Sequence, residues 1–416
     1  MKIYDGAVLA IINRQSSIIN SPSLRLFLLT VASVACVAAC SRRPVPPAPY
    51  LAFVVSQATS SVAVVNLAEM RVVASLAVSP GPEAAALRPR SQEIFVTGPG
   101  GIDRIQISNL KVHLNSRSDS HPRSLVFSPD GRLAYFLLEP APRPAPQAGA
   151  MSEPPAPGVS HIAILECDSG RELGQIRVRA QLSRLALTPD GKTLLGTDPI
   201  AGAVQVFDTQ TRKPLGVVQV GRGAQAIEVS PYGSKAFVSN TEEEKISVVD
   251  TAARQVLSHI ELGMRPGPLI LKPDGGELFV LCPQASLVAI VDAFHDNVSQ
   301  TMPTGRSPVT GVFRRDSRVF YLANAGDGSV MTLDVENRAV LASTFVGREP
   351  RALALTPDER FLVVADGGTS SLAILIAEPA RLAKVRSALV TTTPVGARPV
   401  AVVVPDWLGT EKSSGP

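Results

Sequence analysis

The sequence predicts an all-β fold: an eight-bladed β-propeller of four-stranded antiparallel blades, closed by its C-terminal strand. Three observations carry this. A Pro-centred turn recurs, with its central position at 129, 189, 231, 273, 315 and 357, so that from 189 onward the spacing is a constant 42 residues. Each interval contains four short apolar runs, the pattern of a propeller blade. The two chain ends supply incomplete sets that add up to one further blade.

Along the chain, residues 26–39 (LFLLTVASVACVAA) form an apolar run behind Arg25. Such a run is short for a membrane span and suits a signal peptide, expected here over 1–39. V-A-A-C (37–40) follows, and it resembles the lipobox of bacterial lipoproteins. That resemblance implies lipidation of Cys40 after cleavage, with S-V-A-C at Cys36 a competing site. Ser41 stands where that group's inner-membrane retention signal has Asp, which favours the outer membrane. Residues 40–50 then read as the lipidated Cys and a stiff Pro-rich tether, RRPVPPAP (42–49).

The propeller is expected over 51–406, with 407–416 a disordered tail. LAFVVSQ (51–57), SVAVVN (61–66) and VVASLAV (72–78) supply second, third and fourth strands only. Complete sets begin near 84, 123, 184, 225, 267, 309 and 351, and PVAVVVPD (399–406) supplies a lone first strand. Pairing that strand with 51–57 closes the ring at eight blades. A seven-bladed ring is the alternative if 84–114 packs irregularly. Residues 225–262 illustrate one unit: AIEVS, KAFVSN, ISVVD and VLSHIEL are Val- and Ile-rich runs bounded by turn residues. Between the second and third strands of the 123 unit lies a Pro/Ala-rich insertion (139–159), with EPAPRPAPQAGAMSEPPAPG over 139–158. The insertion reads as a tolerated low-complexity loop, with a polyproline segment for an aromatic groove on a partner as the alternative.

S-P-D-G (128–131), T-P-D-G (188–191), S-P-Y-G (230–233), K-P-D-G (272–275) and T-P-D-E (356–359) raise the question of a metal or catalytic role for the Asp. Turn chemistry answers it. Pro presets φ, Asp bonds nearby amides and Gly takes the left-handed position. Tyr232 and Arg90 at the Asp position fit a turn and defeat a ligand set.

Bulk properties narrow the function. Hydrophobic residues make up 45% of the 416-residue chain, enough for a large core; the net charge of +4 is dispersed, and aromatics are 5%. No basic tail or stacking platform points to nucleic acid. Cys167 and Cys282 sit in different repeats and read as buried thiols rather than a disulfide.

The units follow P-x-x-[LIV]-x-[LIV]-[ST]-P-D-G, then [FLY]-[VL]-x-[ND], then [LIV]-x-[VL]-[LVIF]-D and V-G-x-x-P. With FVSN (237–240), YLAN (321–324) and VVAD (363–366), this resembles the YVTN-type β-propeller repeat family of bacterial envelope and archaeal surface proteins. The resemblance covers 51–406 and implies the propeller fold; such scaffolds host unrelated activities. Related propellers include lactone hydrolases, the haem-d1 domain of nitrite reductase and quinone-dependent dehydrogenases. C-x-x-C-H, repeated Trp docking motifs, G-x-S-x-G and H-E-x-x-H are all absent. His113, His121, His161, His259 and His295 are scattered over different repeats. His259 reads as a surface side chain, and His121, in a loop before Pro122, is placed to face the channel. The expectation is therefore a protein that is not an enzyme and holds no cofactor or metal. A channel-mouth enzyme, lactone hydrolase-like or redox, is the alternative.

In a propeller the loops entering each first strand and the loops between second and third strands share one face. The entering loops VGRGAQ (220–225), LGMRPG (262–267), TGRSPV (304–309), VGREPR (346–351) and VGARPV (395–400) each carry Arg. HPRS (121–124) and QLSR (181–184) continue the series. Arg222, Arg265, Arg306, Arg348 and Arg398 thus read as a recurring ring around the mouth that binds an anion or a partner. Asp198, Glu242, Glu243, Glu244, Asp327 and Asp366 come to the same face and are available to pair the ring internally. The expected whole is a lipid-anchored, monomeric envelope module, periplasmic or outer-membrane. It would hold the membrane through Cys40 and an envelope protein or anionic envelope component through the loop face.

Overall fold

The computed structural model describes residues 50–114, 120–140, 159–377 and 388–405, and these are strands and turns without a helix. The signal segment, Cys36, Cys40, the tether up to residue 49, residues 141–158 of the insertion and the tail lie outside the described residues.

Eight four-stranded antiparallel sheets form the ring of an eight-bladed β-propeller. Blade 1 joins the first three strands of the chain to the last one. Blades 2 to 8 take residues 84–113, 120–178, 184–219, 224–261, 269–303, 308–345 and 350–394. The first strands neighbour one another around the axis, and the fourth strands lie outside.

Burial explains the strand sequences. In blade 5 the second strand, Lys235–Asn240, and the third, Lys245–Asp250, are buried nearly end to end. Each is covered on both faces by adjacent blades, so it reads as a continuous apolar run. The fourth strand, Gln255–Glu261, alternates because one face meets water. The core is accordingly a series of layers between blades. Leu195, Val204 and Val206 of blade 4 pack on Ile227, Ala236, Val238 and Val249 of blade 5. Phe279 of blade 6 meets Phe313 and Phe320 of blade 7, with ring centroids 4.9 and 4.8 Å away.

Closure is as the sequence predicts. The last strand, Pro399–Val403, pairs with Leu51–Ser56 through Phe53↔Val403, Val54↔Val402 and Val55↔Ala401. Gln57 and Ala58 extend it by donating to the Arg398 and Ala397 carbonyls at 3.0 and 3.2 Å. Residues 84–113 form a regular blade, ordered first to fourth strand, which excludes the seven-bladed ring. Its fourth strand, Lys111–His113, is merely short.

The recurring Asp is a turn residue. Asp130 accepts from Ser128 Oγ at 2.6 Å and from the Arg132 N–H at 3.0 Å, and Asp190 accepts likewise from Thr188 and Lys192 at 2.6 and 3.0 Å. These bonds favour the ionised carboxyl and hold both groups below the usual Asp range. The fourth turn position is left-handed: Gly131, Gly191, Gly233 and Gly275 have φ of 72 to 76°. Where Arg replaces the leading Ser or Thr, it reaches into the next blade instead. Arg88 donates through Nε to the Gly131 carbonyl at 2.7 Å and pairs with Glu93 and Asp168. Arg314 pairs with Glu359 at 3.2 Å. Cys167 and Cys282 are free and buried, and burial pushes their thiols up to about 12 and about 11.

Candidate functional site at the channel mouth

The V-G-x-x-P loops are shaped by close approach. A Cβ on Gly347 would overlap the Asp366 carboxylate, and one on Gly305 or Gly221 would overlap Asp327 and Asn324, or Asn240 and Glu243. Each loop crosses directly over the end of the second strand of its own blade. The Asn or Asp ending that strand is buried there and satisfies turn groups. Asn240 Nδ2 donates to the Val220 carbonyl at 2.7 Å. Asp366 Oδ1 accepts from the Gly368 and Thr369 N–H groups at 2.8 and 2.9 Å and from Glu349 N–H at 3.2 Å.

All five ring arginines reach this face, and all are exposed. They fall in two registers rather than one. Counted back from the leading residue of the following turn, Arg222, Arg306 and Arg348 are at the eighth position and Arg265 at the seventh; Arg398, three residues before Ala401 as Glu349 is before Ala352, takes the seventh position by strand register. The strand pairings keep that count across blades, as Ala84↔Thr97, Arg184↔Thr197 and Ala352↔Ala365 show. His121 and Glu349 share the seventh position with Arg265 and Arg398. The expected internal pairing is mostly not made. Asp327 accepts from the backbone N–H of Arg306 at 3.0 Å, and Asp198 from Ile200 and Ala201 N–H at 3.1 and 3.0 Å. Among the described residues only Arg222 approaches a carboxylate of the predicted set, Glu243, at 3.7 Å; that carboxylate is also held by Lys245 at 2.7 Å. Glu242 and Glu244 are exposed.

At the mouth lies a cavity of about 440 Å³ lined by Gln57, Glu83, Val309, Ala325, Glu349, Pro350, Arg351, Arg398 and Val400. β-Bulges shape it. Val309, Arg351 and Val400 are each skipped in the strand register, between Pro308 and Thr310, Pro350 and Ala352, and Pro399 and Ala401. A bulged residue is freed from the ladder and re-aimed, here toward the axis. Arg351 pairs with Glu349, and its Nε is buried without a hydrogen-bond partner. Glu83 meets His121, whose Nε2 lies 3.1 Å from Glu83 Oε2. His121 therefore stands at the channel mouth as expected, but in the first strand of blade 3, Ser120–Phe127, and not in a loop; His259 is an exposed fourth-strand residue.

Sequence reasoning missed Glu83, Glu349 and Arg351. A signal for two of them was present: Glu83 and Arg351 directly follow the entering-loop prolines Pro82 and Pro350, the site of the bulge in neighbouring units. Glu228, on the inner strand of blade 5, was missed too. Burial pushes its carboxyl up to about 7, against the opposing charge of Arg184 on blade 4. Among the described residues no group of three or more His, Cys, Asp or Glu is placed to hold a metal ion.

No protein-family model matches the chain, and no curated protein matches it. Solved structures do. The dihydro-heme d1 dehydrogenase NirN, in complex with DHE, aligns over 87% of this chain and 77% of its own at 14% identity, with a TM-score of 0.68. The periplasmic gluconolactonase PpgL of Pseudomonas aeruginosa covers 78% of this chain and 98% of its own at 19% identity, TM-score 0.54. Hydrazine synthase of Kuenenia stuttgartiensis covers 67% and 88% at 20% identity, TM-score 0.50. At these identities the likeness is one of fold, and it makes the chain a β-propeller. It also corrects one expectation. Missing catalytic motifs were read as showing that the chain is not an enzyme, yet structures of this same architecture are a dehydrogenase and a gluconolactonase. In this fold chemistry is built from loop residues of different blades, so short linear motifs do not test for it.

Proposed function

We propose that this chain is a lipid-anchored envelope propeller of the YVTN repeat type that binds a carboxylate-bearing molecule at the channel mouth. The observation that carries the binding reading is the cavity of about 440 Å³ with Arg351 and Arg398 in its lining. That volume suits a small molecule, and guanidinium forks suit carboxylates. The apolar walls at Val309, Pro350 and Val400 supply contact for the rest of the ligand. Binding of pentanoate to the full chain, measured by calorimetry, should be detectable. It should weaken about tenfold or more in Arg398→Gln and less in Arg351→Gln, whose guanidinium is already paired with Glu349. Equal binding by Arg398→Gln and the parent chain would remove the mouth from consideration. Anchoring at Cys40 is supported by V-A-A-C and the apolar run before it; incorporation of labelled palmitate, abolished in Cys40→Ser, is the expected outcome.

A second reading, catalysis at the same mouth, is favoured by the His121–Glu83 pair. Nε2 faces the carboxylate, which leaves Nδ1 as the open nitrogen and able to take a proton from a bound water or substrate. Because PpgL is a gluconolactonase, lactones are the first substrates to offer. Turnover that falls in His121→Asn supports this reading, and unchanged turnover in that variant removes His121 from it.

A further inference from the structure

The mouth carries two charges of opposite sign that do not meet. Arg398 lines the cavity from blade 1. Its backbone is fixed in the left-handed region, at φ 55°, and its carbonyl accepts from Gln57 N–H at 3.0 Å. Its guanidinium makes no ion pair among the described residues. Glu83 lines the same cavity from the adjacent blade 2. Among the described residues its one side-chain partner is His121, at Oε2, which leaves Oε1 open. The Glu83 side chain is 36% exposed, against 14% for His121, so the carboxylate and not the imidazole fronts the opening. His121 Nε2 holds the carboxylate at Oε2, and Oε1 keeps its lone pairs for a second donor.

The other charges of the lining are already matched, since Arg351 is paired with Glu349. That pairing lowers the value of Arg351 for a second carboxylate, so a dicarboxylate is a poor fit. What remains uncompensated on one cavity wall is one cation and one anion. Opposite charges held apart around an opening are complemented by a ligand that carries both.

We infer that the ligand of the mouth is a zwitterion, an amino acid or peptide-like molecule whose carboxylate meets Arg398 and whose ammonium meets Glu83. This rests on the mouth being the binding site proposed above and adds what stands at the other end of the ligand. His121 acts as a positioning residue that presents Oε1 of Glu83. The apolar wall of Val309 and Val400 takes the carbon skeleton between the two ends.

The test is calorimetry on the full chain with three matched probes, 5-aminopentanoate, pentanoate and pentylamine, and with glycine and 4-aminobutyrate to vary the span. The expected result is that at least one amino acid of the series binds about tenfold tighter than pentanoate. Glu83→Gln should bring that ligand down to the pentanoate level while leaving pentanoate itself as tight or tighter; Arg398→Gln should weaken both. If pentanoate binds as well as every amino acid tested, the zwitterion is wrong while the carboxylate site stands. If no probe binds, both readings fall. The selectivity of the parent chain decides the matter even if a variant fails to fold.

Discussion

At the residue scale the same side-chain type does different work according to its place in the repeat. Asp at the turn spends Oδ1 on a hydroxyl and an amide of its own turn. Asp366 at the end of a second strand is buried under an entering loop. For Glu228 burial outweighs the nearby charge of Arg184 and raises its carboxyl to about 7 from an ordinary 4.5. The sign of the resulting pH dependence is set by which state ionises first. The unfolded chain loses its proton near 4.5, while the folded chain holds it until about 7. Stability from this group is full below the lower value, falls between the two, and is lost above the upper one. Glu228→Gln is therefore expected to stabilise the chain on the order of 2 kcal/mol at pH 8 and to change little at pH 4. Thermal unfolding at the two pH values checks it; the same gain at both would show that packing, not ionisation, is responsible.

At the scale of the element, strand character follows from position in the ring. Second and third strands are covered on both faces by neighbouring blades, whereas fourth strands expose alternate residues. Val402 in the closing strand is 8% exposed, and Val217 in the fourth strand of blade 4 is 51% exposed. Val402→Asp should cost about 3 kcal/mol or more, because it buries an unpaired charge in the strand that seals the ring. Val217→Asp should cost under about 0.5 kcal/mol. Denaturant unfolding of both variants checks this, and equal losses would contradict closure by the terminal strand. Much of this level is legible in the sequence, because strand runs, turns and the split blade are local patterns at constant spacing. The mouth is less legible. Glu83 and His121, or Arg351 and Arg398, come together only through ring adjacency. A one-residue offset separates Arg398 from Arg348 and puts the former alone in the cavity lining. The acids near the ring mislead for a related reason: a composition count cannot show that Asp198, Asp327 and Asp366 are occupied by backbone amides.

At the scale of the whole molecule, the ring turns distant sequence into one rim. Residues 57, 83, 309, 325, 349–351, 398 and 400 share a single opening although they span nearly the full propeller. Its charged sector is formed by blades 8, 1 and 2, with His121 added from blade 3, while blade 7 contributes Val309 and Ala325. This asymmetry gives a ligand one preferred orientation. The most direct test of the mouth as a carboxylate site is a crystal of the full chain soaked in 4-iodobenzoate, with the iodine located by its anomalous signal. The account predicts one strong iodine peak inside the mouth, with the carboxylate on Arg398 and the ring against Val309 and Val400. Iodine peaks only elsewhere on the surface, with the mouth empty, would contradict it.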